Sequence, residues 1–519
     1  MAEPIQSTDR PAHDAGFAGH RELFGHPKGL TFLFTTEMWE RFSYYGMRSL
    51  LVLYMTKYVL LPEHAGNVLG LAGVKSALEA IFGPLGTQPL SSELYGFYTA
   101  LVYLTPIFGG LLADRVLGRR RTVIVGAILM AVGHFMMAVE QLLLFALLAL
   151  ILGSGAFKPN ISTQVGGLYP PGDPRRDRAY SIFYVGINIG AFLAPLVCGT
   201  LGEEAGWHYG FAAAGLGMLI GLCIYLYALP LLPPDEFTDR SPSPERGGSD
   251  RRRQSGERSS SASLTPTRRP VPSRRFAPAY LTSITAAAGR LRLPLSGGGE
   301  NPLGRDEWRA IVAILLLFIP VALFWATYEQ GGNTIVLWAD ANTDRTIDAL
   351  GLRMEIPTTW FLAFNPFMIF AFTPLVVALW TRQAARGSEP ATVTKMALGC
   401  FGVAISYLIM AAASWQAGAD KASWLWLFAY FVIITIGELY LSPVGLSFVT
   451  KIAPARFLSM MMGVWLATSF VGGFLAGWLG SFWSRMGKPE FFLMIAVIAG
   501  VAGLAILAAR WPLRGMLRD

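Results

Sequence analysis

The sequence predicts an all-α membrane protein with twelve spanning helices arranged as two bundles of six. Of its 519 residues, 53% are hydrophobic and only 15% are charged, and the mean hydropathy is +0.45. This composition is typical of a polytopic membrane protein. A spanning helix needs about 20 apolar residues, and suitable segments recur twelve times, six on each side of a long polar segment.

Each predicted span is bounded by polar or helix-breaking residues. The first six lie near residues 30–61, 93–115, 121–140, 142–169, 178–203 and 207–230. The second six lie near residues 308–338, 357–381, 391–413, 423–450, 455–483 and 489–511. The predicted bundles are therefore 30–230 and 308–511, flanked by tails at 1–29 and 512–519.

Two inserts interrupt this plan. Residues 61–92 form a predicted extracytoplasmic insert with an amphipathic helix over 68–82. Residues 231–307 are rich in Ser, Pro, Gly and Arg, which predicts a largely disordered linker. The formal net charge is +8. We attribute the basic linker to topology and to anionic membrane lipids rather than to nucleic acid.

Basic residues collect in alternate connections. They follow the second, fourth, eighth and tenth spans, for example at Arg119, Arg175, Arg382 and Lys451. Cytoplasmic loops carry the excess of Lys and Arg. Both termini and the linker are therefore predicted to be cytoplasmic.

The first span carries charges that a lipid-facing helix would exclude. Glu37, Glu40, Arg41, Tyr44 and Arg48 follow one another at i, i+3, i+4, i+7 and i+11, so they share one face of a helix. Charges inside a span are costly and normally face a water-filled cavity or a partner charge. This face is therefore a candidate functional site.

Four more spans carry buried polar residues. Lys158 lies beside Pro159 in the fourth span, and an ammonium group there is expected to need a carboxylate partner. Asn188 lies among glycines in the fifth span, Glu329 in the seventh and Glu438 in the tenth. The cations Arg41, Arg48 and Lys158 all lie in the first set of helices, whereas both sets supply carboxylates. We therefore expect the site to lie between the halves.

A motif between the second and third spans supports this arrangement. The run from Gly109 to Arg121 includes Asp114 and Arg115 and resembles the signature of the major facilitator superfamily, with one extra residue. That resemblance implies two halves that rock around a site near the bilayer midplane. Asp114 and Arg115 are then expected to form a gate at the helix ends.

The remaining motifs closely resemble the proton-dependent oligopeptide transporter family, particularly its bacterial members. The resemblance rests on Glu37-x-x-Glu40-Arg41-Phe42-Ser43-Tyr44-Tyr45-Gly46, Lys158-Pro159, Phe183-Tyr184-x-x-Ile187-Asn188-x-Gly190, Glu329-Gln330, Arg386-Gly387-Ser388-Glu389-Pro390 and Gly437-Glu438-Leu439-x-x-Ser442-Pro443. It implies proton-coupled symport of di- and tripeptides across a bacterial cytoplasmic (inner) membrane, by a transporter and not an enzyme. No histidine stands in the second span where animal relatives have one, so carboxylates are expected to carry the protons. The linker lacks the two extra helices common in bacterial members, which favours twelve spans.

The resemblance also implies roles for single residues. The proton-coupling positions are Glu40, Arg41 and Lys158, and we add Glu37 from the same helix face. The gating pair is Arg48 with Glu329. The peptide-binding positions are Tyr44, Arg48, Tyr103, Lys158, Asn188, Asn365 and Glu438, of which Glu438 receives the amino terminus. Trp465 is a further candidate for the wall of the cavity.

The residues favour a peptide without reference to any family. A di- or tripeptide is a zwitterion, so its binder needs a cationic end, an anionic end and tolerant space between them. An intramembrane hydrolase is disfavoured because His134 is the only histidine well inside a span and no metal-ligand cluster is present. A proton-coupled carrier of nitrate, an amino acid or a drug, or a peptide sensor, stays open. We expect a monomer that needs no cofactor or metal and is driven by the proton gradient.

Overall fold

The computed structural model describes residues 22–23, 25–170, 173–235, 304–349 and 352–513, and these contain twelve long helices. The first six are α1 (Lys28–Tyr54), α2 (Thr87–Leu112), α3 (Arg119–Met137), α4 (Leu143–Gly167), α5 (Arg175–Ala194) and α6 (Trp207–Ala228). The second six are α7 (Arg305–Tyr328), α8 (Phe364–Ala385), α9 (Thr392–Ala417), α10 (Leu425–Ile452), α11 (Leu458–Gly480) and α12 (Lys488–Leu513). The predicted all-α fold of two six-helix sets is confirmed.

Eleven of the described helices are long and apolar enough to cross a membrane. The remaining long helix, α1, has 27 residues and therefore also the length of a span. Its charged face lowers its hydropathy. The chain is thus an integral membrane protein.

Wide π-helical turns extend three of the helices. Met55–Val59 continues α1, Ala113–Leu117 continues α2, and Pro195–Gly199 with Leu201–Ala205 continues α5. The 3-10 segments are Glu140–Leu142, Leu229–Leu231, Glu329–Gly332, Thr358–Ala363 and Ala455–Phe457. The short α-helices are Pro62–Ala65, Leu71–Phe82 and Thr334–Asn342.

The strands are short and lie at the ends of the bundle. Antiparallel pairs join Glu22–Leu23 with His26–Pro27 and Thr346–Ala349 with Leu352–Glu355, and a parallel pair joins Thr343–Asp344 with Ala422–Ser423.

The insert between the first two spans differs in detail from the prediction. Its helix begins at Leu71 after Gly70, whose φ is 80°, rather than at 68. α2 begins at Thr87 rather than at 93, because Pro89 is tolerated in the first turn of a helix, where its missing N–H has no acceptor to lose. The predicted disorder of the linker falls on residues 236–303, which lie outside the described residues. So do most of the predicted tails.

Buried hydrophobic side chains form two clusters. One runs from Leu30 to Leu232 and also includes Val336 of the second half, and the other runs from Ile311 to Ile506. The halves touch closely where α2 crosses α11, since a Cβ added to Gly96 would lie 2.5 Å from the Cα of Gly477. Glycine is required there by this close approach. The domain boundaries at 230 and 308 stay a prediction.

The two ends of the bundle are the linker face, where the linker is attached, and the distal face opposite to it. On the linker face, α1 begins and the chain leaves the first half after Asp235 and re-enters at Gly304. Arg120 on this face binds carbonyl oxygens of its own half, Leu232 and, at 2.8 Å, Pro233. Arg456 pairs with Glu307 within the second half.

A second contact on the linker face holds the start of α5. Arg175 bonds to Asp173 at 2.9 Å and to Glu22 at 2.7 Å. Hydrogen bonds from Arg175 lower the pKa of the Asp173 carboxyl. This contact also stays within the first half.

The opposite end, the distal face, carries hydrogen bonds that join the two halves. Ser92 donates to Asn333 at 2.9 Å and Gln88 donates to the carbonyl oxygen of Gly480 at 3.0 Å. Lys57 pairs with Asp340 at 2.6 Å. The halves are therefore bonded together at the distal face.

Candidate functional site

A cavity of about 370 Å³ lies between the two halves. Most of its wall is apolar or aromatic, which leaves a few charged groups to orient a ligand. Four of these come from the first half and two from the second. They are Glu37, Arg41, Arg48, Lys158, Glu329 and Glu438.

The charged face of α1 is arranged as its spacing predicts. The Arg41 Nε atom lies 3.1 Å from a carboxylate oxygen of Glu37 and 2.5 Å from one of Glu40. Glu40 is fully buried behind the cavity wall, whereas Glu37 and Arg41 line it. Two carboxylates therefore share one guanidinium.

Lys158 on α4 lies over aromatic rings. Its Nζ atom is 4.3 Å from the centre of the Tyr44 ring and 6.0 Å from that of Tyr103. A cation over an aromatic face is stabilised by the ring quadrupole. The expected carboxylate partner is not seen, since no ion pair of Lys158 occurs in the described part of the chain. Its charge is thus available to an anionic ligand group.

Arg48 and Glu329 form an ion pair across the two halves. The guanidinium also donates to the Tyr95 hydroxyl, at 2.6 Å from Nη2 and 3.0 Å from Nε. The hydroxyl in turn lies 3.4 Å from Glu329. This cluster closes the cavity toward the distal face.

Glu438 on α10 is held by neutral donors. Its carboxylate accepts hydrogen bonds from the Tyr328 hydroxyl at 2.6 Å and from the Asn365 amide at 3.0 Å. Asn365 also donates to Thr435 at 3.1 Å. Within the described residues Glu438 forms no ion pair, so its charge is open to a cationic ligand group.

Of two further predicted binding residues, Asn188 lines the cavity and Trp465 does not. Asn188 lines the cavity and donates to the carbonyl oxygen of Tyr184 at 2.9 Å. Trp465 packs on α10, where a Cβ added to Gly445 would lie 2.3 Å from its ring. Among the described residues the adjacent Leu466, rather than Trp465, lines the cavity.

The predicted linker-face gate stays within the first half. Asp114 lies 3.8 Å from Arg119, and Arg115 is exposed. Neither residue lines the cavity.

Tyr95 and Tyr328 were not among the site residues predicted from the sequence. Both hydroxyls bond to predicted charged residues, Tyr95 to Arg48 and Tyr328 to Glu438. Nothing in the sequence separates Tyr95 from the neighbouring Tyr98, because the contact joins different helices. Tyr328 directly precedes Glu329, and that position near a buried acid was the available signal.

Comparison with known proteins gives consistent matches. The sequence profile of the POT family (PTR2) matches residues 120–233 and 303–492. A di-/tripeptide transporter of Lactococcus lactis subsp. cremoris is 34% identical over 518 residues, covering 96% of this chain and 98% of that protein. A peptide transporter of Yersinia enterocolitica subsp. palearctica is 34% identical over 480 residues, covering 89% of each chain.

Solved structures agree over the same length. The crystal structure of a peptide transporter POT in complex with sulfate is similar, with a TM-score of 0.74 and 30% identity, over 96% of this chain and 97% of that one. A mutant of a peptide transporter POT in complex with alafosfalin gives a TM-score of 0.73 at 29% identity, over 96% and 98%. The fold and the sequence thus point to the same relatives.

Proposed function

The chain belongs to the POT family of transporters, and from that premise we propose that it carries di- and tripeptides into the cell together with protons. The main support for this proposal is the arrangement of charged residues in the cavity. Lys158 of the first half has no ion-pair partner among the described residues, and Glu438 of the second half is bonded only to neutral groups. Between them the wall is mostly apolar.

A peptide zwitterion fits this arrangement. Its carboxylate would bind Lys158 and Arg48, with Tyr44 and Tyr103 beside them, and its ammonium group would bind Glu438. Charge-assisted hydrogen bonds of this kind are about twice as strong as neutral ones. The variable side chains would meet the apolar and aromatic wall. Relatives that transport peptides support this assignment.

Proton coupling is proposed for the Glu37, Glu40 and Arg41 cluster, in contact with Lys158 through Tyr44. Leaving a buried charge without a partner costs several kcal/mol, about 3–5 when one member of a buried pair is removed. Because Arg41 has two carboxylates, protonation of one leaves it paired with the other. The cluster can therefore take up a proton without leaving Arg41 unpaired.

The linker face is proposed to be cytoplasmic, with both termini, in the bacterial inner membrane. The excess of basic residues on that face supports this orientation. The structure is then closed to the outside by Arg48 and Glu329. Opening there, with closure near Asp114 and Arg115, completes alternating access around a fixed site. We propose that the transporter acts as a monomer in contact with membrane lipids, without a cofactor.

The test is uptake of labelled dialanine into proteoliposomes, with and without an inward proton gradient. Accumulation that depends on the gradient is expected. Uptake that follows a sodium gradient and persists when the proton gradient is collapsed would contradict proton coupling. Absence of dialanine uptake under every gradient would contradict the peptide assignment.

A further inference from the structure

A carboxylate of the first half caps a helix of the second half at the distal face. Glu203 lies in the turn Leu201–Ala205 that extends α5. It accepts hydrogen bonds from the backbone N–H groups of Thr358 and Thr359, each at 2.8 Å, and from the Thr359 hydroxyl at 2.7 Å. These threonines begin the helical segment that leads into α8.

The helix depends on this cap from the other half. The first N–H groups of a helix have no acceptor within it and form the positive end of its dipole. Thr358 and Thr359 are fully buried, and Pro357, which precedes them, supplies no side-chain cap. Without Glu203 these two N–H groups would lose their acceptor.

The two halves pack closely against each other around Glu203. Gly199 approaches so closely that a Cβ there would lie 1.9 Å from the Thr359 hydroxyl oxygen. The Trp360 indole donates to the Thr200 hydroxyl at 2.7 Å. Arg345 of the second half lies 3.8 Å from the Glu203 carboxylate and adds a favourable charge.

The neighbouring ion pair of Lys57 and Asp340 also joins the halves, at 2.6 Å. The Lys57 side chain is 48% exposed, whereas the Glu203 side chain is 14% exposed. Exposed ion pairs contribute little because water and salt screen them. Glu203 is therefore the stronger of the two contacts.

We propose that Glu203 is a positioning residue for transport, whose carboxylate latches the distal face shut and must leave Thr358 and Thr359 before the cavity opens there. This latch is separate from the ion pair of Arg48 and Glu329, which lies in the cavity wall. Its role in a transport cycle rests on the proposed function. Its effect on the closed state does not.

The test measures how often the distal face opens in the purified full-length protein. Ser92→Cys in a Cys223→Ser background places a reporter thiol at a buried contact between the halves that does not line the cavity. A bulky maleimide labels it when the distal face opens. Glu203→Gln is compared with Glu204→Gln, which neutralises the adjacent exposed acid.

Glu203→Gln is expected to raise the labelling rate about tenfold, equivalent to about 1.4 kcal/mol, because it removes the charge from the cap. Glu204→Gln is expected to match the parent. Gel filtration and thermal melting establish that each variant is folded. Equal labelling rates in the parent and both variants would overturn the proposal.

Thr359→Val and Thr359→Ser provide a second test if Glu203→Gln does not fold. Thr359→Val deletes the hydroxyl, which lies 2.7 Å from Glu203 and 3.3 Å from the carbonyl oxygen of Pro195, but keeps both backbone N–H groups of the cap. It is expected to raise labelling by about threefold, since one neutral donor is lost. Thr359→Ser keeps the hydroxyl and is expected to match the parent. Equal labelling in these two variants would also overturn the latch.

Dialanine uptake is measured in parallel, so that two failures can be told apart. Faster labelling of Glu203→Gln in a protein that carries no dialanine would support the latch and contradict the proposed function. Unchanged labelling in a protein that carries dialanine would do the reverse.

Discussion

The two halves of the molecule bring opposite charge to the same cavity. The first half contributes three cations, Arg41, Arg48 and Lys158, and the carboxylate of Glu37, with Glu40 behind the wall. The second half contributes two carboxylates, Glu329 and Glu438, and no Lys or Arg among the residues described in the wall. The first half is thus formally positive and the second negative.

The difference shows how one ligand can hold both halves. Arg48 and Glu329 already neutralise each other across the cavity. Lys158 and Glu438 stay without ion-pair partners in the described residues. A ligand that carries both a carboxylate and an ammonium group can bridge them, whereas a simple anion or cation meets one only.

Arg48→Ala is expected to have the largest effect, because it removes the ion pair of Arg48 with Glu329 between the two halves. It leaves Glu329 buried without a cation, and breaking a buried pair costs about 3–5 kcal/mol. Dialanine uptake into proteoliposomes should fall more than about a hundredfold. Arg48→Lys keeps the charge and should retain part of the activity. Normal uptake by Arg48→Ala would show that the pair is not a gate.

Glu40→Gln, in the first half, is expected to uncouple proton transport from peptide transport. Arg41 keeps Glu37 at 3.1 Å, so the variant should fold, but it lacks one acid that can accept a proton. Proton-driven accumulation of dialanine should fall to an inside-to-outside ratio of about one, while exchange of preloaded peptide continues. Accumulation ratio and counterflow are measured in the same proteoliposomes, since loss of an acid affects proton linkage rather than the peptide charges.

Glu37→Gln is the matched comparison, because it leaves Glu40 on Arg41. If Glu40→Gln accumulates dialanine as well as the parent does, the proton is carried elsewhere.

Arg175→Ala tests a first-half cation outside the cavity and should have the smallest effect. Dialanine affinity should stay within about twofold, since charges far from the site are screened. Arg175 lowers the pKa of Asp173, so the contact stabilises the fold above the ordinary pKa of Asp173 and is lost as the pH falls through the lowered value. The difference in melting temperature between parent and variant should therefore shrink at acidic pH. A large change in dialanine affinity would show that a cation outside the cavity also contributes to peptide binding.

The sequence was sufficient for features set by local spacing. The face shared by Glu37, Glu40 and Arg41 follows from the helical period, and the ion pairs observed are between near neighbours on α1. The two sets of six helices follow from apolar segments of span length. The start of α2 could not be predicted from the sequence. The polar residues from Thr87 onward resemble a loop until their packing is known.

Contacts between helices could not be predicted in the same way. Lys158 was expected to pair with a carboxylate, yet both acids of α1 are bound by Arg41 on the same helix and Lys158 lies on Tyr44. Glu203 lies beside Glu204 near the end of the fifth predicted span. Its role as a cap depends on Thr358, which is more than 150 residues away in the chain.

The most direct test of the charge arrangement is competition of dialanine, N-acetyl-dialanine and nitrate against a reporter peptide, in the parent and in Glu438→Gln. If Glu438 binds the peptide amino group, the variant loses a charge-assisted contact of about 1.5–3 kcal/mol. Dialanine affinity should then fall roughly ten- to a hundredfold. N-acetyl-dialanine, which has no ammonium group, should bind both proteins equally, and nitrate should bind the variant equally or better. An equal loss of affinity for all three ligands would contradict the assignment and make Glu438 a structural or gating residue.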